Sequence, residues 1–248
     1  MAEREVVICR DLDELSRKTA EEFIRVADQS VGRSGRFAVA LSGGSTPKSL
    51  YDLLTGPAYS ERVPWHKVHF FWGDERCVPP DHPESNYGMA KAALLSKVPI
   101  PEENVHRMAG EKEPQIAAAE YEKTLIEFFN LKPGEWPRFD LMLMGIGEDG
   151  HTASLFPESE ALENREKLVV ATYVEKLKAY RLTLTLPVIN HAANSWFLVA
   201  GASKATVVSR ILKADPASSP FPAARVAPVD GRLIWFITQD AAGGLPSQ

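Results

Sequence analysis

The chain has 248 residues, 44% hydrophobic and 25% charged, which places it among globular proteins long enough to bury a sizeable core. Its net charge is −5 and no basic cluster stands out, which argues against nucleic acid as the main partner but leaves room for a small anionic ligand. The two cysteines, Cys9 and Cys77, form no CxxC pattern, which speaks against a disulfide framework or a zinc ribbon and fits a reducing compartment.

The amino-terminal stretch "MAEREVVICRDLDEL" mixes charges of both signs, unlike a signal peptide, and no apolar run has the length of a membrane span. A cytoplasmic protein is expected. "EVVICR" predicts a first strand, followed by a helix over about residues 11–31. On that helix Leu12, Leu15, Thr19, Phe23, Val26 and Ala27 recur at spacings of three and four. "RFAVAL" (36–41) predicts a second strand, and "TPKSLYDLL" opens a helix with Pro47 in its first turn. "KVHFFW" (67–72) predicts a third strand, then a Pro-rich loop and a helix near 86–97. Residues 114–129 predict a helix with Leu125, Phe128 and Phe129 on one side. The remaining strands are "FDLMLM" (139–144), "KLVVATYV" (167–174), "RLTLTL" (181–186), "SWFLVAG" (195–201) and "RLIWFIT" (232–238).

Several of these runs are apolar throughout, as expected of strands covered on both faces. Their alternation with helices predicts an α/β fold, a mainly parallel central sheet with helices on both faces. No repeat or linker divides the chain, and "ADPASSPFPA" (214–223) reads as a surface loop, so a single domain over 1–248 is expected. Ligands of open α/β sheets bind beyond the carboxyl ends of the strands. The loops after residues 41, 72, 144 and 200 therefore matter most.

"ALSGGSTPKSL" crosses Gly43 and Gly44 and enters a helix at Thr46–Pro47, where free amides favour an anion. It is neither a Walker loop nor GxGxxG, and an ordinary turn with a Ser or Thr cap is the plainer reading. Ser45 and Lys48 match S-x-x-K, but no S-D-N or K-T-G follows. In "WGDER", Asp74, Glu75 and Arg76 fall at the carboxyl edge, where Arg76 suits a phosphate or, alternatively, a surface pair with a glutamate. In "GIGEDGHTASLF" (145–156), glycines at 145, 147 and 150 allow a tight backbone. Asp149 stands two residues from His151, which titrates near neutrality and can act as a base. A D-x-H metal site is disfavoured, because histidines 66, 69, 82, 106 and 191 form no metal-ligand spacing. In "GASKATVV" Lys204 lies near a helix amino terminus, where a cation makes sense beside an anionic ligand. Arg181 is a further candidate cation or an edge salt-bridge partner. No GxSxG elbow is present.

The motifs "LSGGSTP", "WGDER", "ESNYGMA", "GIGEDGHTASLFP", "RLTLTLPVIN" and "GASKA" together resemble the 6-phosphogluconolactonases over about residues 38–240. The resemblance implies hydrolysis of 6-phospho-D-glucono-1,5-lactone to 6-phospho-D-gluconate, the second step of the oxidative pentose phosphate pathway, without metal or cofactor. It implies a fold like that of sugar-phosphate deaminases and isomerases. A monomer is expected. Carried onto this chain, it implies catalysis by His151, Asp149 and Asp74, and substrate binding by Ser42, Gly43, Gly44, Ser45, Thr46, Arg76, Asn86, Arg181 and Lys204. The alternative is a glucosamine-6-phosphate deaminase or isomerase, which a "GHIAFNEP"-like stretch would mark. Here Leu155 and Phe156 stand where its polar residues would be. A sugar-phosphate-sensing regulator would need a helix-turn-helix for which the chain is too short at both ends.

Overall fold

The computed structural model describes residues 4–216 and 218–243, so residues 1–3 of the amino-terminal stretch and Ala217 of the 214–223 loop lie outside it. Nine strands are formed among the described residues: β1 Arg4–Cys9, β2 Phe37–Leu41, β3 Val68–Trp72, β4 Asp74–Arg76, β5 Leu141–Met144, β6 Val169–Val174, β7 Ala179–Leu184, β8 Asn194–Val199 and β9 Arg232–Thr238. The longer helices are α1 Leu12–Ser34, α2 Ser45–Leu54, α3 Asn86–Ala93, α4 Pro114–Phe129 and α5 Ala205–Lys213. Asp11 starts α1 by accepting from the Glu14 amide at 2.8 Å, and Gly35 ends it in the left-handed region at φ 76°.

Six strands form one sheet in the order β1-β9-β8-β5-β2-β3, and every neighbouring pair is parallel. Every residue of β2 and β5 is buried, because both faces of the sheet are covered. α1 packs against β1, β2 and β9. Ser16, Ala20 and Ile24 are buried beside the expected Leu15, Thr19, Phe23, Val26 and Ala27, so the buried stripe of α1 is broader than the spacing suggested. β5 starts later than "FDLMLM" implied. Asp140 instead accepts from the Ala38 amide at 2.8 Å and from Arg33 at 2.5 Å, fastening the strand's beginning to β2 and α1.

Two segments depart from the single parallel sheet expected. "KLVVATYV" and "RLTLTL" supply β6 and β7 to a separate antiparallel sheet, order β4-β7-β6. Its third strand, β4, was expected as loop. Only Gly73 separates β4 from β3, so the chain leaves the large sheet and enters the small one within one residue. The buried apolar side chains of the large sheet and Val169, Leu182 and Leu184 of the small one belong to one continuous core.

On the outer strand β3, His69 Nδ1 lies 3.3 Å from His106 Nε2, and His106 stacks on Phe71 with centroids 4.4 Å apart. Burial, with His69 beside it, pulls His106 down to about 4 from an ordinary 6.5. Burial and Arg36 also lower His69. A depressed histidine stabilises the fold above its unfolded pKa and loses that contribution as pH falls through the folded one. Thermal unfolding followed by circular dichroism should therefore show stability dropping between pH 6.5 and about 4. His106→Gln should flatten that slope by about 1–2 kcal/mol, the full shift being discounted for solvent screening. An unchanged slope would show that the pair carries no such strain.

Candidate active site

β8, β5, β2 and β3 are consecutive neighbours running in one direction, so the four loops named from the sequence leave the same sheet edge side by side. In the first loop, Gly44 is the residue preceding α2, and no side chain caps that helix. The expected Ser or Thr cap is absent. The amides of Gly43, Gly44, Ser45 and Thr46 have no acceptor among the described residues, which leaves a row of donors at a helix amino terminus. The loop is anchored from below: buried Tyr51 accepts from the Ser42 amide at 3.0 Å and donates to its carbonyl at 2.9 Å. Lys48 turns away to Asp52.

The second loop has become β4, and this sets its charges. In the antiparallel register Asp74 opposes Thr183 and Arg76 opposes Arg181, so both pairs share one face of the small sheet. Arg181 therefore lies inside β7, not at the start of a strand as "RLTLTL" suggested. Two arginines directly opposite repel. Burial, then Arg76, lowers the Arg181 pKa from its ordinary value. The surface pair of Arg76 with Glu75 does not form. Glu75 is buried and spends its carboxylate on the amides of Arg76, Asn86 and Tyr87 and on the Ser85 hydroxyl, at 2.7–3.1 Å. Burial pushes its pKa up against the pull of those amides. The guanidinium partners found are backbone carbonyls, Glu84 for Arg76 at 2.5 Å and Tyr180 for Arg181 at 3.1 Å.

Asp74 is buried and ties three loops together. Its carboxylate accepts from Ser154 at 2.7 Å and from Asn86 Nδ2 at 3.3 Å, and Asn86 also donates to the Asp74 carbonyl at 2.9 Å. Asn86 in turn lies against Gly43. Ser154 N donates to Thr183 at 3.2 Å, and Thr152 donates to the Gly145 carbonyl at 3.0 Å.

The third loop presents the dyad. Asp149 Oδ1 lies 2.5 Å from His151 Nδ1 and accepts from the His151 amide at 3.2 Å. Gly150 between them takes φ 80°, which a side chain would resist, and a Cβ on Gly147 would collide with both dyad side chains. Phe156 backs the imidazole with ring centroids 4.3 Å apart. Lys176 reaches the other Asp149 oxygen, Oδ2. Burial raises the Asp149 pKa, but the bonds from Lys176 and His151 outweigh it and bring it to about 2. The fourth loop ends in a single helical turn, and Lys204, its last residue, has no described side-chain partner.

A cavity of about 1010 Å³ opens beside the small sheet and meets the dyad through Asp149, Phe156 and Lys176; Arg76, Arg181 and Lys204 do not line it. Among the described residues no three His, Cys, Asp or Glu side chains gather as a metal site, and no helix is long and apolar enough to cross a membrane. Sequence reading missed Ser154, Thr183 and Lys176, and it placed Glu75 at the strand edge without its role in bonding the Arg76, Asn86 and Tyr87 amides. Ser154 lay inside a quoted motif, whereas nothing in "VEKLK" marks Lys176.

The chain is similar to a 6-phosphogluconolactonase of Nostoc sp., 41% identical over 240 residues and covering 96% of each chain. It is also similar to the solved 6-phosphogluconolactonase of Trypanosoma cruzi, with a TM-score of 0.86, 30% identity and coverage of 100% of this chain and 99% of that one. A monomeric glucosamine-6-phosphate deaminase shares the fold at 20% identity, with a TM-score of 0.78 over 96% of this chain and 98% of the other. The model of the glucosamine-6-phosphate isomerases/6-phosphogluconolactonase family matches residues 10–235, so the chain belongs to that family.

Proposed function

We propose that this chain, acting as a single domain in the cytoplasm, hydrolyses 6-phospho-D-glucono-1,5-lactone to 6-phospho-D-gluconate. The observation that carries the reading is an aspartate-oriented histidine whose loop is bonded, through Ser154, to the strand pair that bears two opposed arginines, whose guanidinium partners among the described residues are backbone carbonyls. The arginines, the amides of Gly43–Thr46 and Lys204 receive the phosphate, and the repulsion between Arg76 and Arg181 is relieved when it binds. With Nδ1 held by Asp149, the free Nε2 is the atom left to accept a proton from water. The water oxygen bonds to the lactone carbonyl carbon as its proton passes to Nε2. Collapse then breaks the bond to the ring oxygen, which takes the proton back from the imidazolium as it leaves. A cyclic ester is activated enough that no covalent nucleophile is required, in keeping with the missing serine elbow. Asp74 holds Ser154 and Asn86, and through them the dyad loop and the glycine loop.

The deaminase reading has less support, since Leu155 is buried and Phe156 is spent on backing His151. Freshly made lactone should yield phosphogluconate well above the spontaneous rate, and glucosamine 6-phosphate should yield no ammonia. The reverse pattern would replace the lactonase reading with the deaminase one.

A further inference from the structure

The turn Glu175–Leu177 joins β6 to β7 and is closed by Lys178 in the left-handed region at φ 48°. This places Lys176 on Asp149 Oδ2, with its ammonium 4.5 Å from the centre of the Phe156 ring. Phe156 is thus covered by His151 and by Lys176, and Asp149 is shared between them, one oxygen to each.

An aspartate facing a histidine alone favours the imidazolium, because the carboxylate stabilises the added charge. A base that has taken a proton before substrate arrives is useless. A cation on the second carboxylate oxygen opposes this by drawing on the same negative charge and by repelling a proton on the ring. We propose that Lys176 is a positioning residue that shares Asp149 with His151 and so keeps the imidazole neutral at pH values where an aspartate–histidine pair alone would be protonated. The proposal rests on the lactonase reading for its consequence in turnover, but not for its effect on the imidazole.

Other charges surround the dyad loop. Glu175 shares the turn with Lys176, and Glu158 lies on the rim of the same cavity. Arg210 of α5 stacks 4.7 Å from the Phe221 ring, which packs against Gly150. Of these, Lys176 is the one bonded to the Asp149 carboxylate. Its side chain is 51% exposed, so its replacement does not open the core.

The test compares Lys176→Met, which keeps an apolar stem on Phe156, with Lys176→Arg, which keeps the charge. The His151 imidazole is titrated by NMR, its resonance assigned by its loss in His151→Ala. The midpoint should rise by about half to one pH unit in Lys176→Met and stay near wild type in Lys176→Arg, the size of one partly screened unit charge nearby. The acid limb of kcat should move upward with it. An unmoved or lowered midpoint in Lys176→Met, or a kcat loss equal at every pH, would overturn the proposal. The imidazole titration needs no turnover, so a wild type inert toward the lactone would refute the function while leaving this test readable.

Discussion

His151→Ala is expected to lose about 10²–10⁴-fold in turnover while binding 6-phosphogluconate almost as well as wild type, because a general base contributes on that scale and does little for ground-state affinity. The geometry makes the separation clean. The imidazole reaches Asp149 through Nδ1 and leans on Phe156, and among the described residues no bond of its ring goes to Arg76, Arg181 or the glycine loop. The Asp149 carboxyl is held at about 2 and stays ionised throughout the working range. An acid-side loss of turnover therefore does not arise from Asp149. Asp149→Asn should lower turnover through a lost orientation of the ring, again with little change in affinity. Single-turnover hydrolysis, corrected for spontaneous lactone opening, together with calorimetric binding of 6-phosphogluconate, measures both. Near-normal turnover in His151→Ala would make it a structural histidine and pass the role of base to Asp74 or Asp149.

Loss of either arginine is expected to weaken phosphogluconate binding by about 1.5–3 kcal/mol, roughly 10- to 150-fold. Lys204→Ala belongs to the same series. Gluconolactone without phosphate should be a poor substrate for the wild type. The register adds a second readout. Arg76 and Arg181 face each other across β4 and β7, and burial, then their repulsion, lowers the Arg181 pKa. Arg76→Ala should thus leave the unliganded melting temperature unchanged or raised, yet abolish most of the stabilisation that phosphogluconate gives the wild type. A variant that unfolds more easily and binds normally would mean the arginine holds the sheet rather than the ligand.

Most of the large sheet was legible because its strands are short, apolar and separated by helices, and because such strands end in the loops that carry chemistry. The small sheet was not. "DER" has three charged residues and no alternation, and its partner "RLT" lies more than a hundred positions along the chain. The family resemblance grouped Arg76 with Arg181, but that they stand directly opposite each other follows from the register alone. Asp149 and His151 were legible because three glycines and a carboxylate crowd one imidazole. Lys176 was not, since a lysine in a hairpin turn is ordinary until the hairpin is folded over the loop. Asp74 stood out as a charge at a strand end, but its bonds to Ser154 and Asn86 depend on which three loops meet.

β1, the edge strand of the large sheet opposite β3, pairs in parallel with β9, Arg4 opposite Leu233. On a ribosome adding about 5–20 residues per second, β1 must then wait on the order of tens of seconds for β9 to be synthesised. During that interval the amphipathic α1, which packs against β1, β2 and β9, lacks the part of its cover that β9 supplies. Such long-range closure slows folding and invites association between unfinished chains. The protein should accordingly depend on holding chaperones during synthesis more than a fold of the same size whose ends pair with their sequence neighbours.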